Sequence, residues 1–120
     1  MAGLGKGDEE TPSARLPCPY LNGEVEWTAE RERHIGGRHP DLLPAHRALV
    51  ELTVADPDEI RSDGDYRNTR LFFRWYADLL GGKNVVVAVV SAEPPEVRHW
   101  IVTAFVARRP PRGDLEWKRR

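Results

Sequence analysis

Apolar residues recur at helical spacing in the first half of the folded segment and at every second position in the second half. One helical stripe, at i, i+3, i+7 and i+10, consists of Leu42, Ala45, Leu49 and Leu52. It predicts a helix that begins at Pro40 or Asp41 and ends by Ala55, where a Pro-containing breaker follows. A shorter helix precedes it, with Thr28 as its N-cap and Gly36-Gly37 as its stop.

Five other segments have the pattern of β-strands. They are Glu24–Trp27, Glu59–Arg61, Arg70–Tyr76, Asn84–Val90 and Val97–Ala107. In the third of them, Leu71, Phe73 and Trp75 share one face. The opposite face carries Arg70 and Arg74. The fourth segment is a continuous β-branched run, which is typical of a central strand covered on both faces.

These elements predict an α+β domain in which two N-terminal helices pack on one face of an antiparallel β-meander of about four to five strands. We expect the other face to stay open and to carry the arginines. Residues 1–19 are rich in Gly, Pro, Ser and charge, which predicts a flexible leader. A single domain then spans residues 20–117, with Trp117 as an anchor, and residues 118–120 form a basic tail end.

The length and composition exclude several classes of protein. The chain has 120 residues, of which 40% are hydrophobic and 31% are charged, as in one soluble globular domain. It has no apolar stretch near the roughly 20 residues of a membrane span and no signal-peptide h-region. Its one cysteine, Cys18, cannot form an internal disulfide. We therefore expect a cytoplasmic protein with no membrane partner.

A net charge of −1 hides an asymmetry along the chain. Residues 1–60 carry 6 basic and 12 acidic side chains, whereas residues 61–120 carry 12 basic and 7 acidic ones. A basic half suggests an anionic partner on one face of the protein. Most of the basic residues are arginine, which suits bidentate contacts to phosphate, although a GC-rich genome produces the same bias.

No sequence motif indicates a bound metal or cofactor, and we expect neither. The chain lacks a phosphate loop, a nucleophile elbow and a zinc motif. His34 and His39 are separated by two glycines and an i, i+5 spacing, which excludes a histidine pair on one helix face. The remaining candidates are polar residues at positions where apolar ones would suffice. They are His34, Arg38, His39, Arg70, Arg74, Lys83 and Thr103.

Histidine, arginine and a hydroxyl group together suit metal-independent cleavage of a phosphodiester. An imidazole removes the 2′-OH proton, guanidinium groups neutralise the charge that develops on the phosphate, and an acid protonates the leaving oxygen. Each residue also has a structural explanation. The helix dipole favours His34 near the end of its helix. Arg70 and Arg74 suit a solvated face, and Thr103 is an ordinary strand residue.

Taken in order, several short blocks resemble one family. The blocks are HIGGRHPD at 34–41, ADPDE at 55–59, RLFFR at 70–74, GK at 82–83 and VTAF at 102–105. They are similar to the HI-x-x-RHPE, dPDev, lyyR, GGKyl and vTAY blocks of phage and bacterial members of the barnase, EndoU, colicin and RelE-like (BECR) nuclease superfamily. The resemblance covers about residues 24–117. It implies a two-helix-plus-meander architecture and a small, metal-independent RNase.

The resemblance also implies roles by position. The implied catalytic residues are His34, His39, Arg74 and Thr103, and the implied substrate-binding residues are Arg38, Arg70 and Lys83. Among them, His34 would be the general acid or base and Arg74 would bind the scissile phosphate. Thr103 would donate a hydrogen bond to a phosphate oxygen. The chain departs from the family pattern at Asp41, in place of glutamate, and at Phe105, in place of a tyrosine that would supply a hydroxyl group.

Three functions are therefore open. The first is a metal-independent ribonuclease, toxin-type or phage-associated, that acts on single-stranded RNA and, as a toxin, has an antitoxin-like protein partner. The second is a non-catalytic RNA- or phosphate-binding module that uses the same open sheet face. The third is an interaction protein whose basic residues 108–120 dock on an acidic partner.

Overall fold

The computed structural model of the protein describes residues 12–120, which form seven strands and two α-helices. In chain order these are β1 (Pro12–Cys18), β2 (Gly23–Thr28), α1 (Ala29–Arg38), α2 (Arg47–Ala55), β3 (Glu59–Ser62), β4 (Thr69–Tyr76), β5 (Lys83–Ser91), β6 (His99–Ala107) and β7 (Asp114–Lys118). A 3₁₀ turn at Pro19–Leu21 connects β1 to β2. The strands predicted within residues 24–107 are present, with ends shifted by one or two residues.

All seven strands belong to one sheet with the order β1-β2-β6-β5-β4-β3-β7. Neighbouring strands are antiparallel except β2 and β6, which run parallel and pair at Glu26 and Trp100. The predicted antiparallel meander of about four to five strands is therefore wrong. The sheet is mixed, and the β1-β2 hairpin precedes the first helix in the chain.

The two strands that the sequence pattern missed lie at the two edges of the sheet. β1 contains Pro12 and Pro17, which an edge strand tolerates because its outward N–H groups need no partner in the sheet. β7 has five residues, three of them charged, and it becomes a strand by pairing with β3. Residues 12–18 thus form β1, and Pro19 begins the 3₁₀ turn, rather than being part of a leader. The rest of the predicted leader, residues 1–11, lies outside the described residues.

The start of α1 agrees with the predicted N-cap, but the end of α1 and the start of α2 differ from the prediction. Thr28 caps α1 as predicted, since its Oγ1 accepts a hydrogen bond from the Arg31 N–H at 3.1 Å. The predicted stop at Gly36-Gly37 is wrong, because α1 continues to Arg38. Residues 40–46 form turns, so α2 begins at Arg47 instead of near residue 40.

The core lies on both faces of the central strand β5, as its β-branched run predicts. On one face, Val85, Val87 and Val89 are buried in a cluster that also holds Ile35 of α1 and Val54 of α2. The opposite face has a second, smaller buried cluster, formed by Leu71, Phe73, Val86 and Ala88. The two helices therefore cover only one face of the sheet.

The arginines of β4 lie on the face that the helices cover, which is a second correction. Arg70 pairs across the sheet with Val89, and Arg74 pairs with Val85. Both valines belong to the cluster that contains the helices, and directly paired residues of adjacent strands share a face. The predicted alternation along β4 is confirmed, but the expectation that its arginines occupy the open face is wrong. Alternation alone does not tell which face the helices will cover.

We expect the change Thr28→Ala to lower the free energy of unfolding by about 1 kcal/mol, because the Arg31 N–H loses its acceptor at the start of α1. Urea denaturation of the two proteins measures this difference. Thr28→Ser keeps a hydroxyl acceptor and serves as the control, with a smaller expected loss. Equal midpoints for the alanine variant and the unchanged protein would contradict the role assigned to this cap.

Candidate functional site

A cleft of about 550 Å³ opens where β4, β5 and β6 meet their connecting loops. We call it the Arg70 cleft, after the arginine that connects its polar network. The chemistry-bearing residues that line it include Ser62, Arg70, Ser91, His99 and Glu116. Its walls are the loop from Asp63 to Asn68 and the loop from Ala92 to Val97. No residue of α1 or α2 is part of this lining.

One hydrogen-bonded network joins the polar side chains of the cleft. The Arg70 guanidinium donates from Nε to Glu116 Oε2 at 2.6 Å and from Nη1 to Ser91 Oγ at 3.2 Å. Ser91 Oγ in turn lies 2.6 Å from His99 Nδ1. Arg70 is thus held at two points, with a carboxylate on one side and a serine–histidine pair on the other.

Glu116 reaches the cleft because β7 has a β-bulge. Ile60 pairs with Trp117 and Arg61 pairs with Leu115, which leaves Glu116 as the extra residue of β7. A bulge re-aims the side chain of its extra residue. In this position Glu116 also accepts a hydrogen bond from the Tyr20 hydroxyl at 2.8 Å and one from Ser62 Oγ at 3.3 Å.

The electrostatics of the network favour an ionised Glu116 and a neutral His99. Burial raises the pKa of Glu116, but the hydrogen bonds from Arg70 and Tyr20 outweigh it, and the net change is a lowered pKa. Burial is the main cause that lowers the pKa of His99 from its usual 6.5, and the charge of Arg70 adds to it, against a smaller opposing effect of Glu26. At neutral pH the network of Arg70, Glu116, Ser91 and His99 therefore contains a cation, an anion and an uncharged imidazole. Asp63, Arg67 and Glu96 are further charged residues in the lining of the cleft.

The Ser91 hydroxyl can serve either neutral form of His99. Arginine only donates hydrogen bonds, so Ser91 Oγ accepts from Arg70. The hydroxyl has one proton to donate and one more lone pair, and it can thus donate to His99 Nδ1 or accept from a protonated Nδ1. The bond at Nδ1 fixes the imidazole. When Ser91 Oγ accepts from a protonated Nδ1, the lone pair of the neutral ring is on Nε2.

The lowered pKa of His99 predicts a pH dependence of stability. The folded state binds a proton at His99 less readily than the unfolded state. The part of the free energy of unfolding that depends on a neutral His99 is therefore complete above about pH 6.5, and it is lost as the pH falls below that value. Between about pH 7 and pH 5, urea denaturation should show a larger loss of stability for the unchanged protein than for His99→Asn. Equal losses would contradict the shift.

Of the residues predicted from the sequence, Arg70 is the one that lies in the Arg70 cleft. Arg74 lies near the other end of β4, where Nη1 contacts Asp56 Oδ2 at 2.9 Å. Lys83 donates from Nζ to the carbonyl oxygen of Leu80 at 2.7 Å. Arg74 and Lys83 therefore both lie outside the lining of the cleft.

The remaining predicted residues lie around α1 and the opposite face of the sheet. His34 and Arg38 are exposed on α1. The ring of His39 lies beside Phe105, with centroids 6.0 Å apart. Thr103 is on the same face of β6 as Phe105, because their partners Ala88 and Val86 belong to one buried cluster. The structure thus brings His39 and Thr103 to one region, separate from Arg70.

The residues that sequence reasoning missed come from hairpin register and from the bulge. Ser91 ends β5 and pairs directly with His99, the first residue of β6. A serine and a histidine at the two ends of a predicted hairpin are a detectable signal, since their strands run antiparallel. Glu116 had no comparable signal, because the position of a bulge depends on how β7 packs.

Residues 12–120 contain no group of three histidine, cysteine or acidic side chains that would hold a metal ion. None of the helices in this part of the chain has the length and apolar character to span a membrane. The chain matches no family model, no curated protein and no solved structure.

Proposed function

We propose that this protein is a metal-independent ribonuclease whose reaction takes place in the Arg70 cleft. The observation that carries the proposal is the chain of contacts from Glu116 through Arg70 and Ser91 to His99. It combines an anion-binding group and a proton-transfer group in one open cleft. These are the two functions that cleavage of an RNA phosphodiester needs.

His99 would act as the base in the first half of the reaction. Its lowered pKa keeps the imidazole uncharged at neutral pH. In the tautomer whose protonated Nδ1 donates to Ser91 Oγ, Nε2 carries the free lone pair and can take the proton of a ribose 2′-OH. The 2′ oxygen then forms a bond to phosphorus, and the bond from phosphorus to the 5′ oxygen breaks. The proton held on His99 passes to that leaving oxygen, and a 2′,3′-cyclic phosphate results.

Arg70 would bind the phosphate during this step. Its side chain keeps 29% exposure while Glu116 Oε2 and Ser91 Oγ fix the guanidinium from two sides. A guanidinium held in place before the reaction stabilises developing negative charge without reorganising. Glu116 is a positioning residue in this scheme, because it acts through Arg70.

This assignment moves the proposed acid–base group from His34 to His99 and the proposed phosphate contact from Arg74 to Arg70. Arg70 lines the cleft, whereas Arg74, paired with Asp56, and His34, on α1, lie outside it. Membership of the BECR superfamily and a role as a toxin or phage protein stay predictions from the sequence blocks.

The test is incubation with a mixed-sequence single-stranded RNA in EDTA, beside a DNA of the same sequence. The proposal predicts RNA fragments that end in 2′,3′-cyclic phosphate and an intact DNA, because DNA has no 2′-OH. An RNA that stays intact at all protein concentrations would contradict a ribonuclease that acts unaided.

A second candidate function is a non-catalytic RNA-binding module. The observation in its favour is a group of exposed arginines in the β6-β7 connection, Arg108, Arg109 and Arg112, which form no ion pair within the described residues. Such residues suit contacts to a phosphate backbone. A module of this kind would bind intact RNA with an affinity that falls steeply with salt and is insensitive to the His99→Asn change.

A further inference from the structure

The mouth of the Arg70 cleft carries the two most exposed large hydrophobic side chains of the described part of the chain. Tyr66 is 69% exposed and Val97 is 88% exposed, and each lines the cleft from a different wall. The other exposed large hydrophobic residues, such as Trp75 at 48%, do not line it. Two exposed apolar side chains on facing walls of one cleft indicate a surface that contacts an apolar part of a ligand.

The loop that carries Tyr66 is tied down on both sides of that residue. Before it, the Asp65 N–H donates to Asp63 Oδ1 at 2.9 Å. After it, Arg67 and Asn68 both donate to Glu93 Oε1, each at 3.1 Å, which links the two walls of the cleft. A side chain displayed from an ordered loop loses little conformational freedom when it binds a ligand.

We propose that Tyr66 stacks on an unpaired nucleobase whose neighbouring phosphate is held by Arg70, so that the site selects single-stranded over duplex RNA. This inference rests on the proposed function and names the part of the substrate that the cleft mouth recognises. A flat apolar ring at the mouth and a cation inside match the two halves of a nucleotide. Every base offers a π-face to an aromatic ring, so the contact tolerates different sequences.

Selection against a duplex follows from the same geometry. In a double helix the bases stack on one another inside the structure, and their faces are closed to a protein ring. An unpaired base can turn outward and lie against Tyr66, with Val97 on the opposite wall as an apolar neighbour. We expect Val97 to contribute less, because it has no π-system.

Binding of an uncleavable strand tests the inference without any need for turnover. The probes are a fluorescent 2′-O-methyl tetranucleotide and the same sugar–phosphate strand without bases. Tyr66→Ala should weaken binding of the base-containing strand by roughly 5- to 150-fold, the range for loss of one stacked base. Tyr66→Phe keeps the ring and should bind like the unchanged protein. The strand without bases should bind both variants equally.

Trp75→Ala is the matched control, since Trp75 is an exposed aromatic residue outside the cleft. It should leave both affinities unchanged. Equal binding of the base-containing strand by Tyr66→Ala and the unchanged protein would overturn the stacking proposal, even if RNA is cleaved. A Tyr66 effect that is confined to the base-containing strand would support it, even if no RNA is cleaved, in which case the proposed catalysis alone fails.

Discussion

The change His99→Asn is expected to slow RNA cleavage by roughly 10²- to 10⁴-fold, the range for loss of a general acid–base group. Asparagine keeps a polar atom near the position of Nδ1, so the contact to Ser91 can persist. It lacks a group at Nε2 that exchanges protons near neutral pH. The fold should survive, and the variant should still bind an uncleavable strand.

The control for this prediction is His34→Asn on α1, because His34 is exposed and lies outside the Arg70 cleft. Initial cleavage rates of the three proteins, measured on one RNA at one pH, decide between the two histidines. Full activity of His99→Asn together with loss of activity in His34→Asn would contradict the cleft assignment and favour the site implied by the sequence blocks.

The change Arg70→Lys is expected to lower cleavage by roughly 10²- to 10³-fold, the range for loss of one preorganised donor. The guanidinium holds Glu116 and Ser91 from two different nitrogens. A single ammonium group does not have the planar fork needed to hold both while it contacts a phosphate. The positive charge is kept, so a pure charge effect would leave most of the activity.

Arg74→Lys is the matched control for this change. Arg74 is on the same strand and the same face as Arg70, but it pairs with Asp56 outside the cleft. Its replacement should leave cleavage nearly unchanged. A second readout is the pKa of Glu116 by NMR titration, which should rise in Arg70→Lys because Arg70 is the main group that lowers it. Unchanged cleavage by Arg70→Lys would contradict the phosphate role.

The strand pattern was predictable where the side chains alternate or run continuously apolar. β4 and β5 show this, because burial on one face requires alternating apolar residues and burial on both faces requires a continuous apolar run. β1 and β7 have no such hydrophobic pattern, since an edge strand tolerates prolines and charges. The parallel pairing of β2 with β6 rests on one residue pair, Glu26 and Trp100, that are far apart in the chain.

The candidate site was predictable only in part, for the same physical reason. Arg70 stood out as a charged residue in an aromatic strand. The partners of Arg70 come from a hairpin register, which pairs Ser91 with His99, and from a bulge, which turns Glu116 into the cleft. The antiparallel order of β5 and β6 gives a signal for the Ser91–His99 pair, but the position of the bulge is decided by packing between strands, and the types of residue along the chain do not reveal it.

The most direct test of the central claim uses a DNA strand that contains a single ribonucleotide, in EDTA, with mass spectrometry of the products. We expect one cut, on the 3′ side of that ribonucleotide, a fragment that ends in 2′,3′-cyclic phosphate, and no cut with His99→Asn. Cleavage elsewhere in the strand, or equal cleavage by the unchanged protein and His99→Asn, would contradict proton transfer from the 2′-OH to His99 in the Arg70 cleft.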